Sequence, residues 1–474
     1  MHLPGFIQKK TTLRLLLTDI RFWILLFFLI RMVGITNPPL EVGHNWRQSL
    51  TNMVARNFLT IDANMLYPRI DMAGEKTGII GTEFPLLNYL IYLVSKIFGY
   101  NHWYGRLINL IVSSLGTFAF YRIAKKLFNE STAFNATLIF LASIWFSFSR
   151  KIMPDTFSVS LMLIGLLFCA NYLENGKWLD LILFFVFSAL GMLCKIPSLS
   201  LLSVVGVFAF VKYRQNKRIM LVWFSSALAV CIALLWYFYW VPFLIETYRF
   251  QLFFPKGIAE GVAEIMQHKV RFFEKFYFSS LYSFIGFAFF ITGVYFLFKK
   301  ERTSFKAGFL IIAAVFVLFA IKTGAVFPLH NYYIIPFTPV VALLAGYALT
   351  NVKHQYAVVL LFLICAEGIA NQNHDFFIHA DQQYKTGLEA ITAKYVPPDQ
   401  LIIINGGPSP QLIYFASRKG WTVDGPMNER LIDSLGYLGA AYVINDNNTS
   451  DFLSLKYKLL YTDEAFSVYR IHNR

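Results

Sequence analysis

The sequence predicts a polytopic α-helical membrane protein with about eleven transmembrane helices, ending in a small C-terminal α/β domain. Three observations carry this. Of 474 residues, 57% are hydrophobic and only 15% charged, against about 25% charged in an average soluble domain. Apolar runs of the ~17–25 residues that a bilayer demands recur along the chain. The basic clusters between those runs all fall on one side of the membrane once the N-terminus is placed inside.

The runs lie near 15–35, 103–122, 132–149, 156–173, 178–195, 197–212, 219–241, 279–298, 307–321, 332–350 and 355–371. The clusters are Lys9/Lys10, Arg122/Lys125/Lys126, Lys212/Arg214/Lys217/Arg218, Lys299/Lys300/Arg302/Lys306 and Lys353. The segment 84–99 is apolar too, but spans only about 24 Å as a helix. Counting it as a crossing would place four basic clusters outside, so it is read as a helix lying at the outer surface. A long first outer loop then covers 36–102. The N-terminus has no small-residue cleavage site after its apolar run, so that run is read as a retained first span.

The net charge of +15 belongs to the hydrophobic part. Residues from Asn373 onward carry 9 Lys/Arg against 11 Asp/Glu, and the preceding part 33 against 16. Membrane loops explain that excess, and nucleic acid is excluded as an expected partner. Cys169, Cys194, Cys231 and Cys365 all sit in apolar runs, with neither metal-ligand spacing nor a disulfide framework.

Two domains are expected: 1–372 in the membrane, and 373–474 as a soluble α/β domain outside it. In the latter, "LIIIN" (401–405) and "AYVIN" (441–445) read as strands, and "KYKLLY" with "AFSVYRI" as a terminal strand pair. "GGPSP" reads as a plain strand-to-helix turn, with Ser409 as N-cap and Pro410 at the first helical position. It lacks the spacing of a dinucleotide fingerprint.

Ionisable residues beside hydrophobic spans are informative because burying charge in lipid is costly. Asp155 follows the third span, Lys195 ends the fifth, and Lys322 and His330 flank the connection before the tenth. With the first loop they are expected to surround a cavity on the outer face. That loop opens with "EVGHNWRQSLTNMVARNF" (41–58). Asn45 is a plausible N-cap. Trp46, Leu50, Met53, Val54 and Phe58 then follow on one helical face, expected to rest on the membrane surface. Arg47, Gln48, Thr51 and Asn52 lie on the other, expected to face the cavity. Two further polar clusters, "YPRIDMAGE" (67–75) and "GTEF" (81–84), add Tyr67, Arg69, Asp71 and Glu83.

This layout resembles the family 39 glycosyltransferases and their relatives of the C-type membrane fold, including protein O-mannosyltransferases and the lipid A aminoarabinose transferase. The residues that carry the resemblance are "RLINLIVSSLGTFAFYRIAKKLF" (106–128), Pro154-Asp155, and His330 through Pro339. It covers most of residues 15–350. Two departures stand out. Relatives usually carry Asp-Glu nine residues before an Arg, where this chain has Arg47-Gln48 ahead of Arg56. Relatives often have Lys-Pro-Pro where this chain has Glu83-Phe84-Pro85. A carboxylate has gone from one place and appeared where a cation was expected.

The resemblance implies transfer of a sugar from a polyprenyl-phosphate-linked donor to a lipid, glycan or protein acceptor, outside a bacterial inner membrane. A carboxylate must activate the acceptor hydroxyl, and Glu41, Glu83, Asp71 and Asp155 all stand as candidates, with Glu41 placed slightly ahead. Fixed cations must receive the departing phosphate, a role suited to Arg47, Arg56, Arg69 and Lys195. Trp46, Tyr67 and Tyr332 suit stacking on sugar or lipid, and His44, Gln48 and His330 complete the substrate-binding candidates. No cofactor is called for, and a divalent metal is left open: Glu41 and His44 alone are too weak a ligand pair. The rival readings are a transporter or flippase of polyprenyl-linked sugar, and a non-catalytic scaffold that binds glycan.

Overall fold

A computed structural model describes residues 16–212, 217–250, 255–424, 427–447 and 457–471. Lys9, Lys10 and Arg214 of the basic clusters lie outside them. The chain is an integral membrane protein built mainly of helices. Among the described residues, four helices are long and apolar enough to cross a membrane alone: Tyr104–Leu127, Pro154–Asn175, Ile219–Tyr248 and Thr303–Thr323. Two pairs pass the same test together: Lys269–Ser279 with Phe284–Lys300, bent by 90°, and His354–Ala370 with Asn373–Tyr395, bent by 52°. Other runs hold shorter helices, among them Trp178–Cys194 and Thr338–Leu349. The run 332–350 shows why. Pro336 and Pro339 lack an N–H donor, so the chain passes through the short turn Asn331–Ile334 before its helix begins at Thr338.

The residues form two compact units, 1–35 with 106–236 and 254–374, and 36–105 with 237–253 and 375–474. In the first unit, small residues let helices approach closely, as membrane helices require in the absence of a hydrophobic drive between them. A Cβ on Gly293 would sit 2.0 Å from the Leu344 carbonyl oxygen, so that crossing tolerates only glycine. Gln372 ties the break after helix Glu130–Ala142 to the end of helix His354–Ala370. Its amide N–H donates to the carbonyls of Ala142, Ser143 and Gly368, and its oxygen accepts from Ser147.

The second unit contains a five-stranded sheet of β1 (Leu401–Ile404), β2 (Gly420–Thr422), β3 (Ala440–Asp446), β4 (Lys458–Thr462) and β5 (Phe466–Arg470). The order is β2-β1-β3-β5-β4, parallel across β2-β1-β3 and antiparallel across β3-β5-β4. Strand β2 is too short to show a period in the sequence. The helix after β1 begins at Gln411, one residue later than expected. Pro410 is its cap, with φ −77° and ψ 1°, and Ser409 Oγ accepts the Gln411 N–H at 3.4 Å.

The first-loop helix runs Asn45–Thr60, with two corrections to its expected form. Its cap is His44, in the left-handed region with φ 58° and ψ 39°, because the Asn45 side chain turns back onto the Trp46 N–H. Its apolar face does not lie on a membrane surface. Leu50, Met53, Val54 and Phe58 are buried in one core with Ile402 and Ile404 of β1 and with Leu412 and Phe415. The opposite face is buried too. Asn52 donates to the His102 carbonyl at 2.8 Å, and Thr51 O accepts from Asn88 at 2.7 Å. A helix flanked by protein on both sides holds its side chains firmly, which is what a site on a loop lacks and needs.

Candidate functional site

In the second unit, Glu41 sits in a turn between Asn37 and the helix Asn45–Thr60. Pro38 and Pro39 stiffen the turn, and Leu40 N–H closes onto Pro38 O at 2.7 Å. Gly43 (φ 82°) and His44 (φ 58°) follow in consecutive left-handed conformations. A β-carbon makes such backbone unfavourable, and strain of this kind collects at functional sites. Glu41 is fully buried, and Asn37 Nδ2 donates to its Oε1 at 2.9 Å.

The remaining first-loop candidates form pairs. Arg47 contacts Glu83 in a partly buried ion pair. Arg56 donates to Asp71 Oδ2 and to the Tyr414 carbonyl, both at 2.9 Å, and Asn57 donates to Asp71 Oδ1 at 2.8 Å. Arg69 pairs with Asp62 at 3.0 Å. Tyr67 lies edge-on to Trp240 and Tyr248, and Trp46 packs on the core around β1. Gln48 is fully buried. Both Asp71 oxygens are thus held by donors, and Arg56 braces the loop to the helix after β1.

Beside that brace, Tyr414 Oη lies 2.6 Å from both Tyr100 Oη and His102 Nδ1. Burial pushes the Tyr100 hydroxyl up to about 12 and Tyr414 well above its ordinary value. Burial also depresses the His102 imidazole, opposed by Glu389, 3.9 Å from Nε2, and assisted by Arg56. The sign follows. The folded protein binds a proton at His102 less readily than the unfolded chain, which takes one up as pH falls through about 6.5. The stabilisation is complete above that value and lost on acidification. Thermal unfolding at about pH 7.5 and about pH 5.5 should therefore show a fall in the parent that is smaller in His102→Phe; equal falls would remove His102 as the cause.

In the first unit, the sequence brings Asp155, Lys195, His330 and Tyr332 together. Pro154 opens the helix Pro154–Asn175, which places Asp155 in its first turn. The loop before it is held by Asn109, whose amide donates to Lys151 O at 2.7 Å and Thr156 Oγ1 at 3.0 Å. Lys195 follows the helix Trp178–Cys194, its carbonyl accepting from Ser158 at 3.2 Å. Its Nζ lies 3.3 Å from Asp155 Oδ1 and faces the rings of Tyr332 and Tyr333 at 5.4 and 5.6 Å. The His330 ring stacks on Tyr332, with centroids 5.5 Å apart. Burial, then Lys275 and Lys195, lower its basicity.

The sequence reading passed over Arg31 and Arg150, both almost wholly buried. Arg31 donates to Phe27 O and Ser149 Oγ, and Arg150 to the carbonyls of Val33 and Gly34. Arginines at the ends of apolar runs were the available signal. Among the described residues no group of three His, Cys, Asp or Glu side chains is placed to hold a metal ion.

Comparison with known proteins bears on the fold. The family model described as dolichyl-phosphate-mannose-protein mannosyltransferase matches residues 82–240. The structure of ArnT from Cupriavidus metallidurans bound to undecaprenyl phosphate superposes with a TM-score of 0.62 at 13% identity, covering 94% of this chain and 98% of that one. The chain has the C-type glycosyltransferase fold. The archaeal oligosaccharyltransferase AglB from Archaeoglobus fulgidus, in complex with an inhibitory peptide and a dolichol-phosphate, shares it. There the TM-score is 0.58 at 13% identity, covering 90% of this C-type chain and 69% of AglB. No curated protein matches it in sequence.

Proposed function

We propose that this protein transfers a sugar from a polyprenyl-phosphate donor to a lipid, glycan or protein acceptor at the outer face of a bacterial inner membrane. The observation that carries the reading is the fold likeness, over 94% of the chain, to a protein held with undecaprenyl phosphate. In this reading Glu41 accepts the proton of the acceptor hydroxyl. The hydroxyl oxygen bonds to the anomeric carbon as the carbon–oxygen bond to phosphate breaks, and polyprenyl phosphate leaves with that electron pair. The developing phosphate charge needs a fixed cation, and the candidates are Arg47 or, alternatively, Lys195 beside the Tyr332 and Tyr333 rings. Asp155 holds Lys195. Asp71 and Arg56 serve each other, and Glu83 holds Arg47.

The test is incubation of purified protein with a panel of polyprenyl-phosphate sugars and acceptors, following release of polyprenyl phosphate. Release that depends on acceptor supports transfer. Movement of the carrier across vesicles without release is the transporter's result, and binding of glycan alone is the scaffold's.

The reading requires an odd number of crossings, eleven by the apolar runs, with the N-terminus cytoplasmic and residues 373–474 outside. Single cysteines at Ser131 and Ser434, both exposed, should label from opposite sides once the native cysteines are replaced. Labelling from one side would overturn this topology.

A further inference from the structure

We propose that Asn37 is a positioning residue for the Glu41 carboxylate, an inference that rests on Glu41 being the base. Asn37 Nδ2 donates to Glu41 Oε1 at 2.9 Å and also reaches the Phe376 carbonyl at 3.4 Å. One residue beyond Glu41, the Val42 N–H donates to the Phe377 carbonyl at 3.0 Å. The turn is therefore fastened on both sides of Glu41 to the same two-residue stretch, 376–377. Pro38 and Pro39 limit the backbone between Asn37 and Glu41, and the left-handed pair Gly43 and His44 fixes the other end. Within this frame the Asn37 side chain bonds the carboxylate from four residues upstream.

The type of donor matters. Asn37 offers a neutral donor, an amide N–H that orients the carboxylate without adding a charge of its own. One Oε1 lone pair is directed by the amide, which sets the rotation of the carboxylate about its own axis. Proton transfer needs that rotation fixed, because a base must meet its proton within hydrogen-bond reach.

The experiment measures steady-state turnover of the polyprenyl-phosphate sugar that the parent protein uses fastest, in Asn37→Ala, Glu41→Gln and the double variant. Asn37→Ala should lower kcat on the order of 10²-fold, as misplaced catalytic groups do, with KM for the lipid donor within about twofold. In the Glu41→Gln background the same change should do nothing further, because there is no longer a base to position. Asn37→Asp keeps the shape and removes the N–H donors. It should lose at least as much, and covers the case in which the alanine variant fails to fold. A parent-like kcat in either folded variant overturns the inference. So does an equal further loss in the Glu41→Gln background, which would mean that Asn37 acts on folding. If Glu41→Gln itself turns over like the parent, the base assignment fails first; if it is inactive while Asn37→Ala is normal, only the positioning role fails.

Discussion

Arg56→Ala is expected to destabilise the second unit by about 3–5 kcal/mol, the range for breaking a buried ion pair from one side. The Arg56 guanidinium donates to Asp71 Oδ2 and Tyr414 O, and it lies over the Tyr414 ring with 4.8 Å from carbon to centroid. Its loss leaves Asp71 buried with one donor, Asn57, and leaves the Tyr414 carbonyl without this partner. Arg56→Lys should recover little, because an ammonium cannot reproduce the flat fork that serves two acceptors. Arg56→Ala with Asp71→Ala should be more stable than Arg56→Ala alone, since the stranded charge is gone. Denaturant unfolding followed by tryptophan fluorescence reads all three. A folded, parent-like Arg56→Ala protein that has lost only its use of lipid donor would return Arg56 to the phosphate-binding role its charge suggests.

The arginine illustrates what a sequence reveals and what it withholds. A cation at the twelfth residue of a loop helix announces a partner for negative charge, but not whether that partner is a substrate or Asp71 fifteen residues later. The fold class was readable because it rests on additive properties: apolar length and the sidedness of lysine and arginine act over whole segments. The helix Asn45–Thr60 was readable as a helix for the same reason. Its surroundings were not, since an apolar stripe buries equally well in lipid or against Ile402 and Phe415.

Glu83 and Arg47 teach the converse. Both were visible as departures from the family pattern, a carboxylate lost in one place and gained in another. Their contact is a tertiary fact, and it turns two anomalies into one exchange of charges across a single ion pair. Where Asp155 and Lys195 meet, two spans must first be brought side by side. The close approach of Gly191 to Ser158 and Met162 accomplishes this, and no periodicity reports it.

Glu41→Gln is expected to lower turnover by on the order of 10²–10⁴-fold, the contribution of a positioned general base, while the protein folds and still binds lipid donor. Glu41 is set ahead of the other three carboxylates by the backbone that carries it. Asp71 has both oxygens in hydrogen bonds, one to a guanidinium. Glu83 and Asp155 each face a cation, Arg47 and Lys195. Glu41 is oriented by the Asn37 amide in a turn whose next two residues after Val42 are both left-handed, a backbone arrangement that folding alone does not favour. Glutamine keeps the shape and the acceptor oxygen but cannot take the proton. The loss should therefore appear in kcat, with donor affinity measured by binding of polyprenyl phosphate unchanged. Glu83→Gln should instead weaken donor use through Arg47, with a smaller fall in kcat. If Glu83→Gln abolishes turnover and Glu41→Gln leaves it intact, the base is Glu83, and the Arg47–Glu83 pair becomes the catalytic centre of the loop.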